Sequence, residues 1–382
     1  MANKTKAVGN KLARKPSIAI KGLRPSHDPT RYAVNYMDHA PLHHMFVFTD
    51  GLFKPLRTGT RNQGVDVVGK YSFGNQWTFL CHFKGPEALD LNDQSAFYFL
   101  CQLAASGKAK SIKATDPQRQ RYQSCLGLDG DFADQQIVVI SVSGAQMARG
   151  IGLTSTGSNS KAMVASLNRL ASTTIDRVGT KTDDQGKTVL VEGKSAMVGL
   201  IYNDETVEVV VCPEASWKSI DHASGVVWMN MREARQHTIL KSKASRRLHA
   251  FFCGWAKSHQ SKIISPEALM RKIWGKDPST PEMRKEFVRT LKAAVNQVAG
   301  LQGWVCKFDL EKRMVIVRKP LFIGTASQVN VESVVAAPAV SPTSTVELPT
   351  QVVISPTVVV ESPTTEMSEP LPALACEGEW SL

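Results

Sequence analysis

The sequence predicts an α+β fold in which one plan, a helix, a helix-turn-helix and a β-hairpin, is laid down twice between two disordered ends. Three observations carry that expectation. Residues 265–319 read as two short-linked helices followed by two alternating strands, and residues 143–192 repeat the order. The chain before about residue 35 and after about residue 323 lacks any pattern able to bury a core. The expected architecture is therefore two tandem winged-helix domains, at 36–225 and 226–322, flanked by a basic arm (1–35) and an acidic tail (323–382).

The arm holds Lys4, Lys6, Lys11, Arg14, Lys15, Lys21 and Arg24 before its first acid, Asp28. Structure is expected to begin near His44–Phe48. Val65–Tyr71 and Gln76–Phe83 alternate as strands around Ser72-Phe-Gly-Asn75, and Leu91–Ala105 places Phe97, Leu100, Cys101 and Leu103 on one helical face. The polar, Gly-containing stretch Gln118–Ala133 reads as a loop, and Ile137–Val142 as a strand. A helix at Ser143–Arg149, a turn at Gly150–Gly152 and a helix at Asn159–Ser172 follow. The last buries Met163, Val164, Leu167, Leu170 and Ala171 and leaves Lys161, Asn168 and Arg169 off that face. Thr173–Arg177 and Thr188–Glu192 flank the turn Asp183–Gly186 as a hairpin, expected to be lengthened by strands near Gly199–Tyr202 and Val207–Val211.

In the second unit, Ser242–Lys257 is a helix with Leu248, Phe251, Phe252 and Trp255 inward. Ser265-Pro266-Glu267 opens another, with Ser as cap and Pro at the first helical position; it carries Arg271 and Lys272 and breaks at Gly275–Pro278. Thr280-Pro281-Glu282 restarts a longer helix that stops at Gly300. Its apolar stripe is Met283, Phe287, Leu291, Ala294, Val295 and Val298. Lys285, Arg289, Lys292 and Asn296 recur on the opposite face, with Arg284 beside them. A helix of this kind can enter a major groove, its cations neutralising phosphate and its Arg or Asn pairing with base edges. Trp304–Phe308 and Met314–Arg318 would form the wing, offering Lys307, Lys312 and Arg313 to the backbone.

Charge agrees with that reading. The formal net charge is +12, yet no Lys or Arg follows Thr325, so all 46 cations fall on residues 1–324 while seven of the 34 acids lie in the tail. Such an excess favours a polyanionic partner, nucleic acid before an anionic membrane. No apolar run is long enough to span a bilayer, and a cytoplasmic location is expected. The seven cysteines are dispersed, without Cys-x-x-Cys spacing, and read as buried thiols and not as zinc ligands.

Several patterns imitate chemistry. Gly186-Lys187-Thr188 ends like a phosphate-binding loop, but position 181 is Lys where that loop needs Gly, and a strand follows where it needs a helix. His39, His43 and His44 lack a cysteine or carboxylate companion. Asp129, Asp131 and Asp134 lack the further acidic positions of a calcium loop. Phe97-Tyr-Phe99 and Trp228 fit core positions better than stacking platforms for single strands. With no defensible nucleophile and base, no enzyme, metal or cofactor is expected.

Two blocks carry a resemblance to a known family: Gly51-Leu-Phe-Lys-Pro-Leu-Arg57 continuing to Phe83-Lys-Gly-Pro-Glu-Ala-Leu89, and Arg247-Leu-His-Ala-Phe-Phe-Cys-Gly-Trp255 followed by Met283-Arg-Lys285 and Gly303-Trp304. The sequence resembles, over roughly residues 45–320, the replication initiator protein C of IncQ-type plasmids. The resemblance implies a two-winged-helix fold that binds double-stranded origin direct repeats (iterons) and opens adjacent A+T-rich DNA. It further implies that plasmid helicase and primase then load, and that the protein can form a homodimer. By position it places Arg284, Lys285, Arg289 and Lys292 on the DNA-contacting helix. The arm and tail have no counterpart in it. A transcriptional regulator that uses the same fold without opening DNA is the alternative.

Overall fold

The computed structural model describes residues 39–320, apart from 57–59, 74–76, 183–187, 205, 216–225, 259 and 310–312. The expected arm and tail, Cys376, the Gly186-Lys187 pair, the tips of both expected wings and Lys312 lie outside the described residues. Every described residue belongs to one compact unit.

In chain order the first half contains β1 (His39–His43), α1 (His44–Phe48), β2 (Val65–Phe73), β3 (Trp77–Gly85), α2 (Leu91–Ala105), β4 (Lys110–Ile112), α3 (Arg119–Leu126) and β5 (Asp129–Gly130). It continues with β6 (Ile137–Val142), α4 (Gly144–Gly150), α5 (Gly157–Ala171), β7 (Thr174–Thr182), β8 (Thr188–Ala196), β9 (Val198–Tyr202) and β10 (Val207–Val211). The second half has β11 (Val226–Asn230), α6 (Met231–Arg235), α7 (Lys243–Trp255), β12 (Ser261–Ile264), α8 (Pro266–Trp274), α9 (Pro281–Ala299), β13 (Val305–Asp309) and β14 (Met314–Arg318).

Local chemistry sets most helix ends. The Ser143 hydroxyl accepts from Gln146 N, and the Gln146 side chain answers to the Ser143 backbone, a capping box that starts α4. The Thr156, Ser265 and Thr280 hydroxyls cap α5, α8 and α9 by accepting from the amides of Asn159, Ala268 and Met283, and Pro266 and Pro281 occupy first-turn positions where no amide hydrogen is needed. Gly275 closes α8 in the left-handed conformation.

The expected helices occur in the expected order, each pair followed by a hairpin: α4, α5 and β7–β8, then α8, α9 and β13–β14. The stripe on α9 buries Leu291, Ala294, Val295 and Val298, while Phe287 packs partly against the core. The core does not stop at residue 225. One cluster of buried residues runs from Ala40 to Val317, and β1 pairs antiparallel with β11 across nearly two hundred residues of sequence.

Gln118–Ala133 is not a plain loop. Tyr122 and Leu126, four apart, bury one side of α3 beside Ile137, Val139 and Val210, and Gly127 ends the helix at φ 61°. With only Tyr122, Cys125 and Leu126 apolar on a mostly polar helix, the period was too sparse to read. The first hairpin is extended differently from expectation. β2 and β3 lengthen it, giving the order β2-β3-β7-β8-β5, while β9 and β10 join β6 and β4 in a separate sheet. The reason is burial: Val207, Val209, Val210 and Val211 are all buried, which an outward wing cannot provide. β12 adds a third strand beside β14, unanticipated because Ser261–Ile264 is too short to show alternation.

Gly51 (φ 76°) and Gly275 (φ 74°) meet back to back. A Cβ on Gly275 would come within 2.4 Å of the Gly51 Cα, and one on Gly51 within 2.9 Å of the Gly275 Cα. The turn of the second helix-turn-helix thus lies directly against the chain at Gly51. No side chain fits at either position.

Candidate nucleic-acid interface

α9 offers the strongest concentration of outward cations. Lys285, Arg289, Lys292 and Asn296 are all exposed, on successive turns of one face. Over eleven residues at ~1.5 Å rise the stripe spans about 16 Å, the length of about five base steps at ~3.4 Å each. Before Leu291 no residue of α9 is buried, so its first half projects beyond the core and is held mainly by Phe287, whose ring stacks on Trp274 at 4.1 Å and 14°.

The cations are poised by weak surface pairs. Arg284 reaches Glu267 of α8 at 3.0 Å, Arg289 reaches Glu286 one turn back at 2.6 Å, and Arg271 reaches Asp277 at 3.2 Å. The Arg289 side chain is 78% exposed, so its pair with Glu286 is solvent-screened and weak. Lys292 lies over the Phe308 ring at 5.4 Å, which ties the helix to β13. Lys307 of β13 and Arg313, which takes a left-handed backbone (φ 48°) entering β14, are exposed.

Two of the expected contact residues are turned inward by their partners. Lys272 donates to the Phe48 carbonyl at 2.7 Å and pairs with Asp50 at 2.5 Å, fastening α8 to the end of α1. Arg169 donates from Nη2 to Asp93 Oδ1 at 2.7 Å and from Nε to both carboxylate oxygens at 3.1 Å. Asp93 is fully buried and also 3.4 Å from Arg61, which pairs with Asp90. Burial lifts the Asp93 pKa, and the Arg169 bond pulls partly against it. These two cations therefore hold helices together. Their helical spacing looked outward because it could not reveal a buried carboxylate on a distant element.

The first unit is left poorer in charge. On α5 the exposed face carries Lys161 and Asn168, the latter bonded to the Tyr202 hydroxyl. In the other direction, Arg318 was not expected at the interface from the sequence. It is exposed and stands opposite Val305 on the outward side of the second hairpin, two residues along from Ile316, which faces Lys307. The alternation Met314, Ile316, Arg318 was the available signal.

His39, His43 and His44 do not converge. His43 Nδ1 accepts from Met45 N and caps α1, and burial lowers its pKa to about 4. No group of three metal-ligating side chains occurs among the described residues.

Helix pairs with cations on an outward helix face are one of the builds that DNA-binding proteins use. The family model of replication protein C (RepC) matches residues 32–319. The chain belongs to that family of plasmid replication initiators. No curated protein matches the chain. Among solved structures, two crystal structures of domains 2 and 3 of RctB are similar at low level. One shows 8% identity and a TM-score of 0.40, covering 70% of this chain and 94% of that one. The other shows 10% and 0.39, covering 70% and 95%.

Proposed function

We propose that the protein binds double-stranded repeats at a plasmid origin through two winged-helix units, and that this binding opens the adjacent A+T-rich DNA for helicase and primase. The observation that carries the reading is the exposed stripe Lys285, Arg289, Lys292, Asn296 on the second helix of a hairpin-backed pair, in a chain of the replication protein C family. The two units are unequal. The second supplies most of the electrostatic affinity, with Arg271, Arg284, Lys285, Arg289 and Lys292 on its helices and Lys307, Arg313 and Arg318 on its wing, while the neutral Asn296 pairs with a base edge. The first contributes Lys161 and Asn168 and reads its half of the site with less charge. Opening draws on binding energy, DNA bending and supercoiling, with no catalysis by the chain itself.

The test is a footprint of the purified protein on the DNA flanking its own gene, at about physiological salt, with permanganate probing of thymines. Evenly spaced protected repeats with reactive thymines beside them are the expected result. Protection of one short promoter palindrome, without thymine reactivity, would make the protein a transcriptional regulator on the same fold.

A further inference from the structure

Between Asp93 and Asp129 the chain holds five cations and one acid, Asp116. Arg119 is bound inward, donating to the carbonyls of Ala133 and Gln135 at 2.8 and 2.9 Å. Lys108, Lys110, Lys113 and Arg121 are all exposed, around the edge strand β4 and the start of α3. Lys110 donates to Gln118 Oε1 at 3.2 Å, and Gln118 and Arg121, three apart, share a side of α3, so the strand and the helix present one surface. Asp116 lies 3.9 Å from Lys110 and accepts from the Gln118 amide. Lys108, Lys113 and Arg121 enter no ion pair among the described residues. Glu208, half-buried, faces the Tyr122 hydroxyl. Asp129, Asp131 and Asp134 belong to the loop on the other flank of α3, where Gln123 also binds the Ala133 carbonyl.

No large hydrophobic side chain between Leu80 and Val178 is exposed among the described residues. A protein partner needs an apolar centre and a membrane needs apolar anchors; a surface of Lys, Arg and Gln alone fits phosphate. Register places this surface away from the reading helix. Val138, Ile140 and Val142 of β6 point into the main core with α2 and α5, while Ile137 and Val139 point the other way, onto Tyr122 and Leu126 of α3. Asn168 of α5 bonds Tyr202, in the row Val142, Val207, Tyr202, whereas Lys113 follows the row Ile112, Ile137. Five rows at ~3.4 Å and three strand spacings at ~4.8 Å separate the two by about 20 Å, with α5 on one face of the sheet and α3 on the other. A straight duplex lying on α5 misses these cations; one that turns round the β4 edge meets them.

We infer that Lys108, Lys110, Lys113 and Arg121 grip the phosphate backbone of duplex flanking the repeats, and that this grip bends the DNA round the first unit. The inference rests on the proposed reading of repeats and adds to it the surface that supplies the bend. Backbone contacts carry no sequence information, so recognition by α5 and α9 and bending by this surface are separable. The deformation of the flanking DNA is repaid by the contacts that the bend permits.

Two duplexes test it with the full chain: the footprinted repeat alone, and the same repeat extended by about 20 base pairs on each side, roughly 70 Å of flank at ~3.4 Å per step. The parent is expected to bind the longer duplex about tenfold more tightly, with a log–log salt slope steeper by about three to four units, close to one for each cation. Alanine at Lys108, Lys110, Lys113 and Arg121 should erase both differences and abolish the bend measured by circular permutation, while the short duplex is bound as before. Lys113→Glu and Arg121→Glu, each alone and with folding checked by circular dichroism, should each remove part of the gain and decide the matter if the fourfold variant folds poorly. Equal affinity and salt slope of the parent on the two duplexes would overturn the inference. So would weaker binding of the short duplex by these variants, which would place the cations in the repeat-reading surface. A parent that does not prefer the short repeat to a scrambled duplex would bring down the repeat reading itself, and the short duplex alone shows that.

Discussion

Among the individual residues, Arg289 is exposed and, among the described residues, paired with Glu286, and in the proposed function it trades that partner for a base edge. Arg289→Ala is expected to reduce discrimination between cognate and scrambled repeats by about 1–3 kcal/mol, measured by competition binding. An equal loss on both DNAs would leave it a phosphate contact. Arg169 answers a different demand. Its removal leaves the buried Asp93 with the longer 3.4 Å contact to Arg61 in place of the close Arg169 pair, and Arg169→Ala should lower unfolding free energy by about 3 kcal/mol in denaturant melts. Loss of DNA binding with stability intact would show instead that Arg169 reaches the duplex.

At the level of elements, the second helix-turn-helix is fixed to the rest of the molecule at its turn. Gly275→Ala would force a Cβ into the Gly51 backbone as well as strain a left-handed residue, and we expect a stability loss of about 2 kcal/mol or more with slower formation of the DNA complex. A variant as stable as the parent in thermal melts would refute that close approach. In the proposed function the second hairpin acts through charge alone. Alanine at both Lys307 and Arg313 should weaken binding on every sequence and flatten the log–log salt dependence by about two units, about one for each phosphate left without its cation. Unequal weakening on cognate and scrambled DNA would show base readout by the wing.

Across the whole molecule, buried titratable groups set the response to pH. Burial depresses His43 and His249 to about 4 and about 3, so the unfolded chain takes up protons near pH 6.5 that the folded chain refuses. Stability from these two is full above that pH and is lost as pH falls through the folded values. Glu233, buried against Lys319 at 2.7 Å, works oppositely: burial raises it to about 7, so its folded form gains protons first and its contribution is lost as pH rises toward 7. Each group is worth about 1.4 kcal/mol per pH unit inside its own window, and two histidines outweigh one carboxyl. The melting temperature should therefore fall between pH 6 and 4.5. His249→Phe should shallow that fall, and a melting temperature flat across the window would contradict the assignment.

Helices α2, α8 and α9 were legible to within a residue, because capping side chains, Pro at the first turn, Gly at the end and a 3.6-residue stripe are all local. The outward stripe of α9 was legible for the same reason. Sequence alone determined that this chain builds hairpin-backed helix pairs and concentrates its cations on one of them. Tertiary structure decided what no local pattern holds. It joined β1 to β11, sent β9 and β10 into the core, and spent Arg169 and Lys272 on Asp93 and Asp50. A cation in a sequence is equally suited to phosphate or carboxylate. Which it meets depends on segments tens to hundreds of residues away, and only packing brings those together.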